Sequence, residues 1–315
     1  MFLVNFAFFT ISCIILVKSS SFLVKSLLKI SQYLNLNEFT VGFIIMAVST
    51  SLPELFIGIT SAINKTPELT VGNVIGSNIL DLTLIVGIVA ILAKGIKITS
   101  KIIKRDVFYM LAILVVPLLL ALDRTLSRID GIILVLIFVL YIWQMIKQER
   151  RFHKTMNTVN KQEALSFLFI AFVSIIILLV SSKFVVEFAT SLSVDLGIPH
   201  ILIGLFIISV GTCLPELITG TKAVLARHDE LAMGDLLGSV ITNSTLVLGT
   251  AAIIYPLSID IVIFFSSGIF MVLMAFIFMT FAESEKGISW KEGMSLILLY
   301  LFFVIIESYL KILKG

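Results

Sequence analysis

The chain reads as an all-α polytopic membrane protein, ten transmembrane helices arranged as two inverted five-helix repeats, on three observations. Of its 315 residues 59% are apolar and 14% charged, with mean hydropathy +1.13, whereas a soluble domain is about 45–50% apolar and about 25% charged. Apolar stretches of about 18 residues or more, each long enough to cross a hydrocarbon core of roughly 30 Å, recur along the whole length. A pair of short motifs also occurs twice at one offset.

Apolar runs between loop signals place helices near residues 2–30, 38–62, 68–93, 105–122, 130–147, 164–194, 199–223, 230–255, 259–281 and 289–312. The first and sixth exceed about 20 residues and carry Lys18, Lys25 and Lys183, so tilting or an interfacial second half is expected. The first begins without a basic n-region and has no clear small-residue cleavage site, so it is expected to stay in the mature protein. Orientation follows the basic residues of short loops. Lys25, Lys29, Lys94, Lys97, Lys101, Lys104 and Arg105 fall on one side, with Lys147, Arg150, Arg151, Lys154, Lys161, Lys222, Arg227, Lys286 and Lys291. The opposite loops hold only Lys65, Arg124 and Arg128. The richer side is assigned to the cytoplasm of a plasma membrane protein, with both termini outside. The basic stretch 151–162 reads as a cytoplasmic, solvated linker between halves 1–150 and 163–315.

Composition also narrows the partners. The net charge of +3 is spread over loops and forms no basic stripe with interleaved aromatics, which argues against nucleic acid; the lipid bilayer is the implied surroundings. Cys13 and Cys213 lie in apolar segments without CxxC spacing or a nearby His, so neither a disulfide framework nor zinc is indicated. No oligomeric state is legible.

The repeat is the most specific signal. The segment 50-TSLPELFIG-58 matches 212-TCLPELITG-220, and at the same offset of 162 residues 72-GNVIGSNILD-81 matches 234-GDLLGSVITN-243. Gly42, Gly87 and Gly131 match Gly204, Gly249 and Gly293 in the same register, so the motif regions span about 42–90 and 204–252. Five spans per half, an odd number, turn the second copy over in the membrane. Inverted repeats place substrate sites near the midplane on discontinuous helices and let one part rock against another.

Acids inside apolar spans are costly and usually functional, and Glu54, Asp81 and Glu216 lie well inside them. Thr50 and Ser51 precede Glu54 by four and three residues and share its helix face, as Thr212 does with Glu216. Ser77 and Asp81 are four apart, as are Ser239 and Asn243. Carboxylate, hydroxyl and amide oxygens in this number suit a hard cation such as Ca²⁺, which takes about 6–8 oxygen ligands. Pro53 and Pro215 lack an amide hydrogen, so the carbonyls of Ser49 and Gly211 are expected to be free as ligands or kink points. The Gly72/Gly76 and Gly234/Gly238 pairs are faces for close helix approach.

With 50-TSLPE-54 and 76-GSNILD-81 set beside 211-GTCLPE-216 and 238-GSVITN-243, the sequence resembles the calcium/cation antiporter superfamily, prokaryotic sodium/calcium exchanger branch, over nearly the whole chain. That resemblance implies counter-transport of Ca²⁺ against Na⁺ by alternating access, with no cofactor and no enzymatic activity. The ligands it implies are Thr50, Ser51, Glu54, Ser77, Asp81, Thr212, Glu216, Ser239 and Asn243, with the carbonyls of Ala47 and Ser209 in place of Ser49 and Gly211. Ser49 departs from the family's usual glycine, and Cys213 stands where a serine is common, a poor Na⁺ ligand. The Asp81/Asn243 order is swapped relative to archaeal-type relatives. A proton-coupled antiporter differs by counter-ion alone, since buried carboxylates carry protons as well, although that branch usually shows a Gly-Asn-x-x-Glu motif. Potassium co-transport goes with an acid at the position of Asn243, whose symmetry mate here is Asp81. A channel would use symmetric acidic rings, and a hydrolase is disfavoured because His153, His200 and His228 fall in or beside loops.

Overall fold

The computed structural model describes residues 2–33, 46–98, 101–149, 160–259, 261–284 and 287–314. It is nearly all helix. Helix α1 (Phe2–Tyr33) is followed by α2 (Met46–Thr50), α3 (Leu52–Ile63), α4 (Pro67–Leu80), α5 (Val86–Leu92), α6 (Lys101–Leu120) and α7 (Arg128–Glu149). Beyond it come α8 (Lys161–Leu196), α9 (His200–Ile203), α10 (Ser209–Thr212), α11 (Leu214–Leu225), α12 (Asp229–Thr242), α13 (Leu248–Ile254), α14 (Ile261–Glu283) and α15 (Trp290–Lys314). Among the described residues eight helical stretches are long and apolar enough to cross a membrane. The second and tenth expected spans are not among these. The former begins in residues 34–45, outside the described set, and continues as the short α2 and α3; the latter is the 25-residue α15. Most of the expected linker also lies outside the described residues, and α8 begins within its end at Lys161, capped by the Asn160 side chain accepting from the Glu163 amide at 2.8 Å.

Local chemistry sets the boundaries. Ser127 and Asp130 form a capping box at the start of α7, and Ser289 and Glu292, each 162 residues on, form the same box at α15. Gly197, left-handed at φ 60°, ends α8 and lets the Ile198 amide reach the Ser193 carbonyl at 3.0 Å. Pro67 opens α4, where its missing amide costs nothing. Single π-helical turns over Asp81–Ile85, Gly204–Ile208 and Asn243–Val247 interrupt the spans, a feature that concentrates at functional sites. The hydroxyls of Thr83 and Thr245, again 162 apart, donate to the Ile79 and Ile241 carbonyls four residues before them.

Packing divides in two. The long helices α1 and α8 run against each other through Phe9, Leu16, Leu23, Leu178, Val185 and Leu192; their 32 and 36 residues are longer than the roughly 20 that span a bilayer. A larger core gathers α4 to α7 and α11 to α15. Backbones touch at glycines. A methyl on Gly87 would stand 2.6 Å from the Gly293 carbonyl, and one on Gly131 would stand 2.6 Å from that of Gly249; the offset that turns the first pair into the second is 162. Gly72 and Gly76 let α4 approach the Ile201 and Leu205 carbonyls as closely, so the small-residue face expected from the sequence binds one motif helix to the start of the other motif. Strands β1 (Thr125–Leu126) and β2 (Leu257–Ser258) pair antiparallel, and the bridge Ile96–Ile288 repeats that pairing within one residue of the same offset. Large apolar side chains of α1, α7, α8, α14 and α15 remain exposed on the outer surface, among them Leu3, Leu140, Phe169, Ile269 and Ile305. So broad an exposed apolar belt belongs against lipid, and the chain is an integral multi-pass membrane protein.

A buried carboxylate and hydroxyl cluster

Each motif bends a helix where its proline requires it. Ser51 and Cys213, between α2 and α3 and between α10 and α11, sit at φ −79°, ψ 4° and φ −80°, ψ 3°. Proline stands in the first turn of the helix that follows, so no hydrogen bond is lost there. Glu54 and Glu216 therefore begin helices α3 and α11, where the amide ends favour negative charge. Asp81 and Asn243 begin the π turns that end α4 and α12.

The side chains converge. Ser77 Oγ donates to Glu54 Oε1 at 3.4 Å, and Ser239 Oγ stands 3.3 Å from Glu216 Oε1 and 3.2 Å from Asp81 Oδ2, donating to one at a time. Ser51 Oγ donates to Ser239 Oγ at 3.1 Å. Its mate Cys213 makes only long contacts, 3.9 Å from Sγ to both Glu54 Oε1 and the Ser77 carbonyl. All these groups are buried, and Glu54 Oε2, Asp81 Oδ1, Glu216 Oε2 and both amide atoms of Asn243 have no hydrogen-bond partner. Among the described residues no three or more His, Cys, Asp or Glu side chains stand so that they alone could hold a metal ion; the donors of the cluster are carboxylates interleaved with hydroxyls, the oxygen chemistry of hard cations.

Other expected residues lie at the edge of this cluster. Thr212 Oγ donates to Asn73 Oδ1 at 3.2 Å, and Thr50 Oγ to Asp235 Oδ1 at 3.2 Å. Ala47 lies in α2. The Ser209 carbonyl accepts from the Cys213 amide at 3.0 Å and the Thr212 hydroxyl at 3.3 Å. The Ser49 carbonyl, expected to be free, is met by Ser20 Oγ of α1 at 3.3 Å. That partner comes from another helix, and the first span carries no motif that announces such a donor. Sequence reasoning also passed over Asn73 and Asp235, which lie inside the matched segments 72–81 and 234–243; an acid in an apolar run opposite an amide of the other half was the available signal. Two further buried acids lie away from the cluster: Asp106, paired with Arg105 at 2.7 Å, and Glu307, which accepts from Ser266 and Ser267 at 2.8 Å.

A cavity of about 480 Å³ leads from Thr50 and Pro215 past Ser20 and Thr219 to Lys222 and His228. It links one surface of the molecule to the edge of the cluster.

The chain matches the family model described as sodium/calcium exchanger protein over residues 4–147 and again over 166–309, bounds that differ by the same 162 residues. It is 29% identical to the sodium/calcium exchanger MaX1 of Methanosarcina acetivorans, covering 98% of this chain and 100% of that one. It is 31% identical to the inner membrane protein YrbG of Escherichia coli over 76% of each. Among solved structures, the sodium-calcium exchanger NCX_Mj soaked with 10 mM Na⁺ superposes with a TM-score of 0.69 at 23% identity, over 97% of this chain and 99% of that chain.

Proposed function

The chain belongs to the sodium/calcium exchanger family, and from that membership and the geometry above we propose that it is a secondary active antiporter exchanging Ca²⁺ for Na⁺ by alternating access. A family of exchangers supplies transport rather than catalysis of a covalent reaction. One observation carries the reading: Glu54, Asp81 and Glu216 meet in one buried cluster, each with an unpartnered oxygen and each within reach of serine hydroxyls from the other motif or its own. No ion pair among the described residues involves them.

The chemistry follows from charge. Three ionised carboxylates without cations carry about −3, and a buried charge of that size is too expensive to sustain unpaired. Cations must load before the protein rearranges. Glu54 and Glu216 bind Ca²⁺ directly, helped by Thr50, Thr212 and the carbonyls of Ala47 and Ser209. Asp81, Asn243 and the hydroxyls of Ser51, Ser77 and Ser239 hold Na⁺, which competes for the same charge. Exchange rather than leak results, because the ion-free cluster resists crossing. Halves 1–150 and 163–315, inverted about the linker 151–162, are the bodies that rock. The paired contacts at an offset of 162, Gly87 with Gly293 and Gly131 with Gly249, support a two-fold relation between them. The cavity at Lys222 and His228 lies on the side assigned to the cytoplasm, in a plasma membrane with both termini outside.

The test is ⁴⁵Ca²⁺ uptake into proteoliposomes preloaded with Na⁺, against K⁺-loaded vesicles and an imposed pH gradient. Uptake driven only by outward Na⁺ is expected. Uptake driven by the pH gradient, or requiring K⁺ together with Na⁺, would move the protein to a proton-coupled or potassium-dependent antiporter, and flux with no counter-ion to a channel.

A further inference from the structure

Resting on that exchange reading, we propose that Asp235, with the Thr50 hydroxyl, forms an additional Na⁺ site on the cavity side of the central cluster, present on one face of the protein only. Asp235 is fully buried; Oδ1 accepts from Thr50 Oγ at 3.2 Å and Oδ2 has no partner. Thr50 itself lines the cavity. Along α12, Asp235 precedes Ser239 by one turn, about 6 Å toward the helix end where His228 and Leu231 line the cavity. A cation leaving the cavity therefore meets Thr50 and Asp235 before it reaches Ser239, Glu216 and Asp81.

The ligand class follows from the donor set. One carboxylate and one hydroxyl carry a single negative charge, balanced by one monovalent cation, with water from the cavity completing its shell. Ca²⁺ takes about 6–8 oxygens and is better served by the central cluster.

The sidedness comes from the repeat. The residue 162 positions before Asp235 is Asn73, whose Oδ1 accepts from Thr212 Oγ at the same 3.2 Å. The two halves thus build one hydrogen bond with two different acceptors, an amide in the first half and a carboxylate in the second. Geometry is conserved across the pair and charge is not. The molecule itself shows that Asn fits this position with its bond intact, which makes Asp235→Asn a substitution that removes charge and leaves shape.

The experiment uses the purified full chain. Equilibrium ²²Na⁺ binding is measured first, then Na⁺-driven ⁴⁵Ca²⁺ flux in oriented vesicles with Na⁺ titrated on each face separately. In Asp235→Asn the apparent Na⁺ affinity is expected to fall at least threefold on the cavity face, to hold on the opposite face, and to leave Ca²⁺ affinity within about twofold. Wild-type Na⁺ affinity on both faces would overturn the site, since the Thr50 bond survives the change. An equal fall on both faces, or a shifted pH profile with ²²Na⁺ binding unchanged, would overturn it as well. Asn73→Asp is the reciprocal variant and keeps the inference testable if the first fails to fold: it should raise Na⁺ affinity on the opposite face, and no gain there would sink the argument. Because ²²Na⁺ binding is read without transport, a wild type that binds Na⁺ but shows no Na⁺-driven flux would count against the exchange reading alone.

Discussion

At the scale of single residues, the cluster is an arrangement of near-equivalents in which each departure from symmetry is a chemical statement. Ser51 donates to Ser239 at 3.1 Å, while its mate Cys213 makes contacts of 3.9 Å around Glu54 and Ser77. Sulfur is a weak donor and a soft ligand, so on the proposed exchange reading Cys213 offers Na⁺ a poorer contact than Ser51 does. Cys213→Ser should accordingly raise apparent Na⁺ affinity several-fold while leaving Ca²⁺ affinity within about threefold, measured as Na⁺ dependence of ⁴⁵Ca²⁺ flux. An unchanged or lowered Na⁺ affinity would show that the thiol is packing alone. Glu54→Gln tests the other ligand class. It keeps size and the Ser77 contact but removes the charge proposed to balance Ca²⁺, and Ca²⁺ uptake should fall to background; normal uptake would remove Glu54 from the ligand set. Glu54 and Glu216 were legible in sequence because an acid after proline in an apolar run has few other reasons to exist. Asp235 was marked only by its place in the matched segment opposite Asn73, and its meeting with Thr50, 185 residues away, has no local sign.

At the scale of elements, proline and glycine divide the labour. Pro53 and Pro215 break helices just before the acids, at Ser51 and Cys213, and these breaks were readable from the motif. Glycine decides how near the broken helices come, and which glycine faces which backbone was not readable, because a small residue fits any close approach. Gly131 packs on the Gly249 carbonyl and Gly220 meets only a Val89 methyl at 3.4 Å. Alanine at Gly131 would place its Cβ 2.6 Å from that carbonyl oxygen, a clash backbone cannot relieve without moving α7 from α13. A cost of about 1–3 kcal/mol is expected for such overpacking, whereas Gly220→Ala should be near neutral or slightly stabilising in a helix. Thermal unfolding in detergent separates them; equal melting temperatures for the two variants would mean that the α7–α13 contact is slack. The capping boxes at Ser127 and Ser289 were equally hidden, since Ser-x-x-Asp and Ser-x-x-Glu pairs are common and only their recurrence 162 residues apart singles them out.

At the scale of the whole molecule, composition and the repeat made the membrane character legible, while the count of spans remained coarser: among the described residues eight helical stretches are long and apolar enough to cross, and the 25-residue α15 is not one of them. The cavity gives this level its own test, because a rocking exchanger exposes its site to one side at a time. Ser20, Thr50, Pro215 and Thr219 line a passage that ends at Lys222 and His228, residues of the basic side. Cys13 and Cys213 are buried and free, so a thiol introduced in the passage is read against a quiet background. Thr219→Cys, placed before the central acids, should react with a charged, membrane-impermeant maleimide added to inside-out vesicles and resist it in right-side-out cells. Saturating Na⁺ or Ca²⁺ should lower the rate at least several-fold, because loaded carboxylates no longer oppose the transition that closes this side. Labelling from outside the cell would invert the assigned topology, and equal rates with and without ions would mean that the passage is a fixed recess rather than one half of an alternating pathway.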